Sequence, residues 1–190
     1  MAALPEEVDV GAHGLVLRRW RLADGERLFA AIEASMPELR RFMPWAKEDP
    51  TAESVGAFLE TAAVDVPSAT SVGFALVDAA GEIVGGVGLH DRRGPGILEI
   101  GYWVRSDRTG RGYATAAARV LTAVALANHP DVDRIEIRCD PANVASAAIP
   151  PKLGYRLDRT DVVDVEAAAQ TGSQQVWVLC RADYLATERW

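Results

Sequence analysis

L-E-I-G-Y-W-V-R-S-D-R-T-G-R-G-Y-A-T-A-A-A, residues Leu98 to Ala118, is the stretch that decides the fold. Leu98 to Val104 has the β-branched and aromatic composition of a buried strand. Thr109-Gly110-Arg111-Gly112 continues neither a strand nor a helix. From Tyr113 to Leu126 small apolar residues and helix formers dominate. A strand that feeds a glycine loop and then a helix aims several free backbone N–H groups at one point. The helix dipole adds about half a positive charge there. Such a point suits a phosphate or pyrophosphate, because glycine lets the backbone approach its oxygens closely. The same glycines would also serve a tight loop that binds nothing. Two familiar phosphate loops do not fit. No Gly-Lys-Ser or Gly-Lys-Thr follows Gly110, and Thr115 stands where a dinucleotide fingerprint needs its third glycine or alanine.

Outward from this stretch, helices gather early and strands follow. Leu15 to Trp20 reads as a strand, Asp24 as the cap of a helix to Ala34, and Met36 to Trp45 as a short helix and turn. Thr51 is placed to cap a helix to about Val64, and 64–70 reads as a loop. Ser71 to Val77 and Glu82 to Leu89 form a hairpin around Asp78-Ala-Ala-Gly81. Beyond the loop Asp91 to Gly96 comes the strand Ile97 to Arg105. The glycine-led helix then runs to Asn128, and Asp133 to Cys139 is a strand. Ala142 to Leu153 is a short helical segment stopped at Gly154, Tyr155 to Leu157 begins a strand, and Gln175 to Arg181 ends the series. The pattern predicts an α+β, or mixed α/β, sheet of six or seven strands.

The 190 residues fit one domain, 1–190, with Met1 to Gly14 an acidic, fraying tail. A net charge of −7 argues against a duplex nucleic-acid partner. It would suit a cationic acceptor, or solubility alone. Cys139 and Cys180 make no disulfide framework and point to a cytoplasmic protein. His13, His90 and His129 have no metal-ligand spacing, so no metal is expected. Neither a signal peptide nor an apolar run of membrane-spanning length is read.

The loop Asp107 to Ala114, D-R-T-G-R-G-Y-A, resembles the acetyl-CoA loop of the GNAT acetyltransferase superfamily, Gln/Arg-x-x-Gly-x-Gly/Ala, with Gly110 and Gly112 on its glycines. Asp107 stands where Gln or Arg is usual, and Arg108 and Arg111 are neighbours able to supply the charge. Leu15 to Trp20, the Met43-Pro-Trp45 turn, Ile83 to Leu89, Glu99 to Trp103, Asn143 to Ser146 and Lys152-Leu-Gly-Tyr155 are similar to the RimJ/RimL-type, ribosomal-protein N-terminal acetyltransferase branch. The resemblance spans about Leu15 to Tyr184.

It implies a strongly twisted sheet splayed between its fourth and fifth strands, here Ile97–Arg105 and Asp133–Cys139. Acetyl-CoA, as co-substrate, would enter the split and the acceptor amine would arrive from the other side. Backbone groups around Trp103 and Val104 would hold the pantetheine and the acetyl carbonyl. Thr109, Gly110, Arg111, Gly112, Tyr113, Ala114 and Thr115 would cradle the pyrophosphate, with Arg105 and Arg108 beside them. Asn143 would bond coenzyme amides or cap its own helix. The acceptor implied is a protein N-terminal α-amino group. A small-molecule amine, such as an antibiotic or polyamine, is the alternative. The family also implies a homodimer.

Acetyl transfer to an amine needs a neutral amine, a polarised thioester carbonyl and help for the leaving thiolate. Glu99 is the first candidate base. It shares one strand face with Gly101 and Trp103, while Leu98, Ile100, Tyr102 and Val104 take the other. A buried carboxylate there could equally bind an ammonium or make a salt bridge. His90 is the second candidate. Many members of the superfamily place an acidic tyrosine seven residues after the motif asparagine, where this chain has Pro150. Ser146 matches a serine that the ribosomal-protein branch offers near the coenzyme sulfur, so the resemblance implies a hydroxyl able to donate to the thiolate; the same hydroxyl could equally bond its own helix turn. Pro150 and Pro151 also remove the usual donors to the carbonyls of Ser146 and Ala147. Phe42, Met43 and Trp45 read as plain core or as the lining of an acceptor pocket, and Asp91, Arg92 and Arg93 as a loop that borders the acceptor or is simply solvated. Two other readings stay open: a non-catalytic acetyl-CoA-binding or sensing module, and a nucleotide-binding protein.

Overall fold

The computed structural model describes residues 4–11, 13–63 and 71–186, so the loop expected over 64–70 lies outside the described residues. One eight-stranded sheet organises the chain, in the order β1-β2-β3-β4-β5-β6-β8-β7. Its strands are β1 (Glu7–Asp9), β2 (Val16–Arg19), β3 (Val72–Val77), β4 (Ile83–His90), β5 (Ile97–Val104), β6 (Arg134–Cys139), β7 (Arg156–Val162) and β8 (Ser173–Cys180). Every neighbouring pair is antiparallel except β5 and β6. Those two are joined by the crossover helix α4 (Tyr113–Asn128), as a parallel pair requires.

The count exceeds the expected six or seven because Glu7 to Asp9, inside the segment read as a fraying tail, pairs with Val16 to Arg18. Leu4 and Val10, on either side of that strand, are buried in the main core and hold it. β7 is also longer than read. Its sequence R-L-D-R-T-D-V hides the strand, because it is an edge whose mostly exposed residues need no apolar face.

Alternation along the strands gives the sheet two unlike faces. Leu98 and Ile100 of β5 join Ile135 and Ile137 of β6 beneath Ala117, Ala118, Leu121 and Ala125 of α4. The opposite face carries α1 (Gly25–Glu33) and α3 (Ala52–Ala62), packed over β3 and β4, and α2 (Met36–Phe42), packed toward Trp103 of β5. Trp20, Leu28, Leu59 and Ala75 form a second core there. Thr51 caps α3 as expected, accepting the Ser54 N–H at 3.0 Å. Asp24, expected to cap α1, makes no capping bond. Its buried carboxylate instead accepts both terminal nitrogens of Arg18 at 2.7 Å, and it serves the helices by pinning them to β2.

Glycines on β3 and β4 make room for two tryptophans on the helix-bearing face. A Cβ at Gly73 would lie 3.0 Å from the Trp20 indole nitrogen, and one at Gly86 2.7 Å from that of Trp103. A Cβ at Gly85 would land on the carbonyl oxygen of Trp103, a backbone atom with little freedom to move. Gly85→Ala is therefore expected to lower stability by about 1–3 kcal/mol through overpacking, read as a fall in the urea midpoint. An unchanged midpoint would show that β4 and β5 can separate there freely.

Candidate active site

Pairing between β5 and β6 runs from Ile97↔Arg134 to Ile100↔Ile137 and stops. β5 continues alongside β4 to Gly85↔Val104, while β6 continues alongside β8 to Cys139↔Gln175. The two strands therefore part at Gly101 and Arg138. Gly101 to Val104 have β4 partners but none on β6 among the described residues. These residues are also half-exposed, unlike Leu98 to Ile100. The expected split between Ile97–Arg105 and Asp133–Cys139 is this opening.

At the mouth of the V, Ser106 to Arg108 make one 3-10 turn before Gly110 and Gly112, which take φ values of +74° and +81°. An added Cβ would meet nothing within 4 Å at Gly110 and only the His13 ring, at 3.6 Å, beside Gly112. Glycine is demanded here by the left-handed backbone and not by crowding within the chain. Gly112 gives α4 no side-chain cap. The first backbone bond of the helix runs from Ala116 N–H to Gly112 C=O, so the amides of Tyr113, Ala114 and Thr115 precede it. Asp107 is clasped by Arg105 at 2.6 and 2.8 Å. Hydrogen bonding to Arg105 holds its carboxyl down at about 2. Arg108 Nε is buried without a hydrogen bond, 3.6 Å from that carboxylate. Arg111 is exposed, and the His13 ring, read in the sequence only for metal spacing, lies tilted 5.4 Å from that of Tyr113.

On the helix-bearing face the expected base Glu99 is 4% exposed and heavily paired. Arg92 Nη2 donates to Oε1, Arg93 Nε donates to Oε2 at 2.6 Å, and Arg138 Nε lies 3.8 Å away. Burial alone would raise this carboxyl; hydrogen bonds and charge from Arg92 and Arg93 outweigh it and hold the group below its usual range. His90 faces Glu99 across β4 and β5, and its ring lies over Gly88 and Gly101, the first β5 residue past the split. Burial first, then the charge of Arg92, lowers the imidazole, while Glu99 acts in the opposite sense. His90 is thus a half-buried neutral base beside an ionised, arginine-clasped carboxylate.

The helix α4 side carries hydroxyls instead. Asn143 caps α5 (Val144–Ala147), accepting the Ser146 N–H at 3.2 Å. Ser146 Oγ lies 3.2 Å from the Tyr102 hydroxyl, which also reaches the Ser146 carbonyl at 3.3 Å. With Pro150 unable to donate, that carbonyl takes the Ile149 N–H at 3.1 Å and the tyrosine. Burial pushes the neighbouring Cys139 thiol up to about 11 against hydrogen bonds from Trp177 and Ser146. Tyr155 is core, buried and bonded to Thr122 at 2.7 Å.

Trp45 borders the helix-bearing side, 53% exposed and edge-on to Trp103 at 6.2 Å. Met43 and Trp103 pack on a small cluster of Met36, Leu39 and Ala46. Phe42 is held from behind, where Gln170 donates to its carbonyl at 3.2 Å. Asp91 lies away from these contacts, exposed beside Ser71. Among the described residues no cluster of His, Cys, Asp or Glu could hold a metal, and no helix is long and apolar enough to cross a membrane.

A family model described as acetyltransferase (GNAT) domain matches residues 14–156. No curated protein matches the chain. Among solved structures, the microcin C7 self-immunity acetyltransferase MccE, in complex with acetyl-CoA and AMP, has a TM-score of 0.82 and 19% identity over 94% of this chain and 98% of its own. RimL, the ribosomal L7/L12 alpha-N-protein acetyltransferase, in complex with coenzyme A, has 0.80 and 15% over 95% and 99%. Mycobacterium smegmatis RimJ, in complex with CoA-disulfide, has 0.78 and 22% over 89% and 83%. All three share this fold.

The charges around His90 can be checked directly. Its pKa, followed by NMR titration, is expected below 6.5, and Arg92→Ala should raise it by removing a neighbouring positive charge. A fall in the variant would contradict the arrangement.

Proposed function

The chain belongs to the GNAT acetyltransferase family, and from that premise we propose that it moves an acetyl group directly from acetyl-CoA onto the α-amino group of a protein N-terminus. Acetyl-CoA is its co-substrate. The observation that carries the reading is the split at Gly101 and Arg138, with a proton-accepting face on one side and a hydroxyl-bearing face on the other.

The residues at the mouth fit a pyrophosphate. Gly110 opens onto free space and Gly112 meets only the His13 ring, three helix amides precede the first helical bond, and Arg108 Nε is buried without a hydrogen bond. Arg105 and Arg111 supply further charge. Asp107, the departure from the family loop, acts here by fixing Arg105. The unpaired edge of β5 at Trp103 and Val104 supplies hydrogen-bonding groups for the pantetheine, and Asn143 sets the end of α5 beside it.

The acceptor amine approaches over Trp45, Trp103 and His90. An α-amino group has a pKa near ~8, so a useful fraction is neutral at pH 7. His90 accepts the proton that the nitrogen sheds as the N–C bond forms. Glu99, ionised and tied to two arginines, is the poorer proton acceptor; its charge serves to receive an ammonium and to orient the imidazole. Ser146 donates a hydrogen bond to the departing sulfur, which leaves with the C–S electron pair. Cys139, held as a thiol, forms no acyl-enzyme. The α-amino acceptor rests on the likeness to RimL, described as the ribosomal L7/L12 alpha-N-protein acetyltransferase.

CoA release by the purified protein tests the reading, with Ala- and Ser-starting peptides, polyamines and aminoglycosides as acceptors. Release with peptides alone is expected, release with small amines alone would move the acceptor, and acetyl-CoA binding without any release would favour a sensor. His90→Ala should lower kcat by about a hundredfold and leave acetyl-CoA affinity unchanged. Because neutral His90 is the working form, the wild-type rate should fall as pH drops through a pKa below 6.5, and that limb should vanish in the variant.

A further inference from the structure

We propose that Tyr102 is the positioning residue for Ser146: its hydroxyl donates to Ser146 Oγ and so turns the serine's own proton toward the sulfur in the split. This rests on the acetyl-transfer reading above and deepens it.

Three observations carry it. The Tyr102 hydroxyl lies 3.2 Å from Ser146 Oγ and 3.3 Å from the Ser146 carbonyl, reaching across the split from β5 to α5. Tyr102 sits two residues past the last β5–β6 pair, so its strand is anchored by β4 on one side only. Pro150, standing where the segment would supply a helical N–H, leaves the Ser146 carbonyl with the Ile149 N–H and room for a second donor. That carbonyl can only accept and the hydroxyl pair can run in either sense; in the proposed arrangement the single Tyr102 proton is shared, three-centre, between the two Ser146 oxygens on the same side of it.

A serine hydroxyl has one proton and two lone pairs. With Tyr102 donating to the oxygen, the serine proton must go elsewhere. Within the described residues the Cys139 sulfur is a neighbour it can reach, and a weak acceptor. A hydroxyl that accepts one bond also donates its own more strongly. Burial keeps Tyr102 protonated far above neutral pH, so the donor is constant over the working range. No proton is lost from either residue. The amine proton goes to His90, and the sulfur departs with its electron pair as a thiolate held by the Ser146 O–H.

This arrangement takes over the place of the leaving-group tyrosine that Pro150 displaces. The chain then uses a tyrosine from the strand, acting through a serine, and not one from the following helix.

The test is a double-mutant cycle of Tyr102→Phe and Ser146→Ala in full-length protein. CoA release is measured from pH 6 to 9 (roughly the working range), with acetyl-CoA affinity by calorimetry and the melting temperature alongside. Ser146→Ala is expected to lower kcat about a hundredfold and Tyr102→Phe about tenfold. The KM for acetyl-CoA should hold, and the wild-type to Tyr102→Phe ratio should not change with pH. In the Ser146→Ala background Tyr102→Phe should have no further effect, because its partner is gone. Losses that multiply would make Tyr102 a structural residue and overturn the proposal. So would a loss confined to affinity or melting, or a faster Tyr102→Phe enzyme, which would mean that the tyrosine holds the serine proton away. Should Tyr102→Phe fail to fold, Ser146→Thr serves: it keeps the hydroxyl and should retain most of the rate, and a rate as low as that of Ser146→Ala would overturn the proposal. A wild-type protein that binds acetyl-CoA but transfers to no amine would refute the parent reading, and this assignment with it.

Discussion

Two strands that run parallel for four pairs and then part create a requirement that the rest of the molecule has to meet. Past Ile100 and Ile137 the facing edges of β5 and β6 have backbone donors and acceptors with no strand between them. Buried backbone groups in that condition are costly. The opening persists because each strand is secured on its far side, β5 by β4 and β6 by β8. It is a built slot with unsatisfied edges, suited to an extended ligand carrying amides of its own. The apolar floor beneath α4 closes its lower end, and α5 with the double-proline turn that follows it forms one lip.

Sites far apart in the chain are tied to this slot. Ser35, fully buried at the start of α2, accepts the Ser106 N–H at 3.1 Å, and Ser106 Oγ donates to Glu38 at 2.6 Å. The wall that carries Trp45 is thereby fastened to the loop that precedes Gly110. From the other side Asp140 accepts the Thr171 N–H at 2.6 Å, and the same loop donates through Ala169 to the Arg41 carbonyl at 2.8 Å. The two substrate sides therefore cannot shift independently. Gly110 and Gly112 matter in this frame as hinges of fixed geometry more than as gaps.

Leu98 to Ala118 was legible because its signals are local: β-branched residues, two glycines and a run of helix formers. The resemblance to GNAT enzymes supplied the split, which composition could not, since Ile135, Ile137 and Cys139 read as an ordinary apolar strand and only the register shows where pairing ends. Interactions across long separations stayed hidden. Asp24 looks like a cap until Arg18 is placed beside it. Glu99 looks like a free base until Arg92 and Arg93 fold back from their loop. Tyr102 was assigned correctly to the apolar face, and that assignment concealed its hydroxyl. The signal able to reveal it was Pro150, which frees a carbonyl for a donor from another element. β1 escaped notice because three residues carry too little periodicity.

The charges on the helix-bearing face act differently on its carboxylates and on the neighbouring imidazole. Glu99 and Glu136 stand side by side on β5 and β6, both buried, a pairing that repels. Arg134 and Arg138 bracket Glu136 at 3.1 and 2.8 Å, and Arg92 and Arg93 bracket Glu99, so each carboxylate has guanidinium partners to offset that repulsion. His90 sits beside this compensated array and feels Arg92 and Glu99 with opposite signs, which leaves burial to decide its charge. Burial favours the neutral imidazole. In the acetyl-transfer reading a base of reduced pKa is adequate, because an amine nitrogen becomes far more acidic once its bond to the acyl carbon forms. The chain's net charge of −7 thus says little about the site. What sets the local field there is four arginines arranged around two carboxylates.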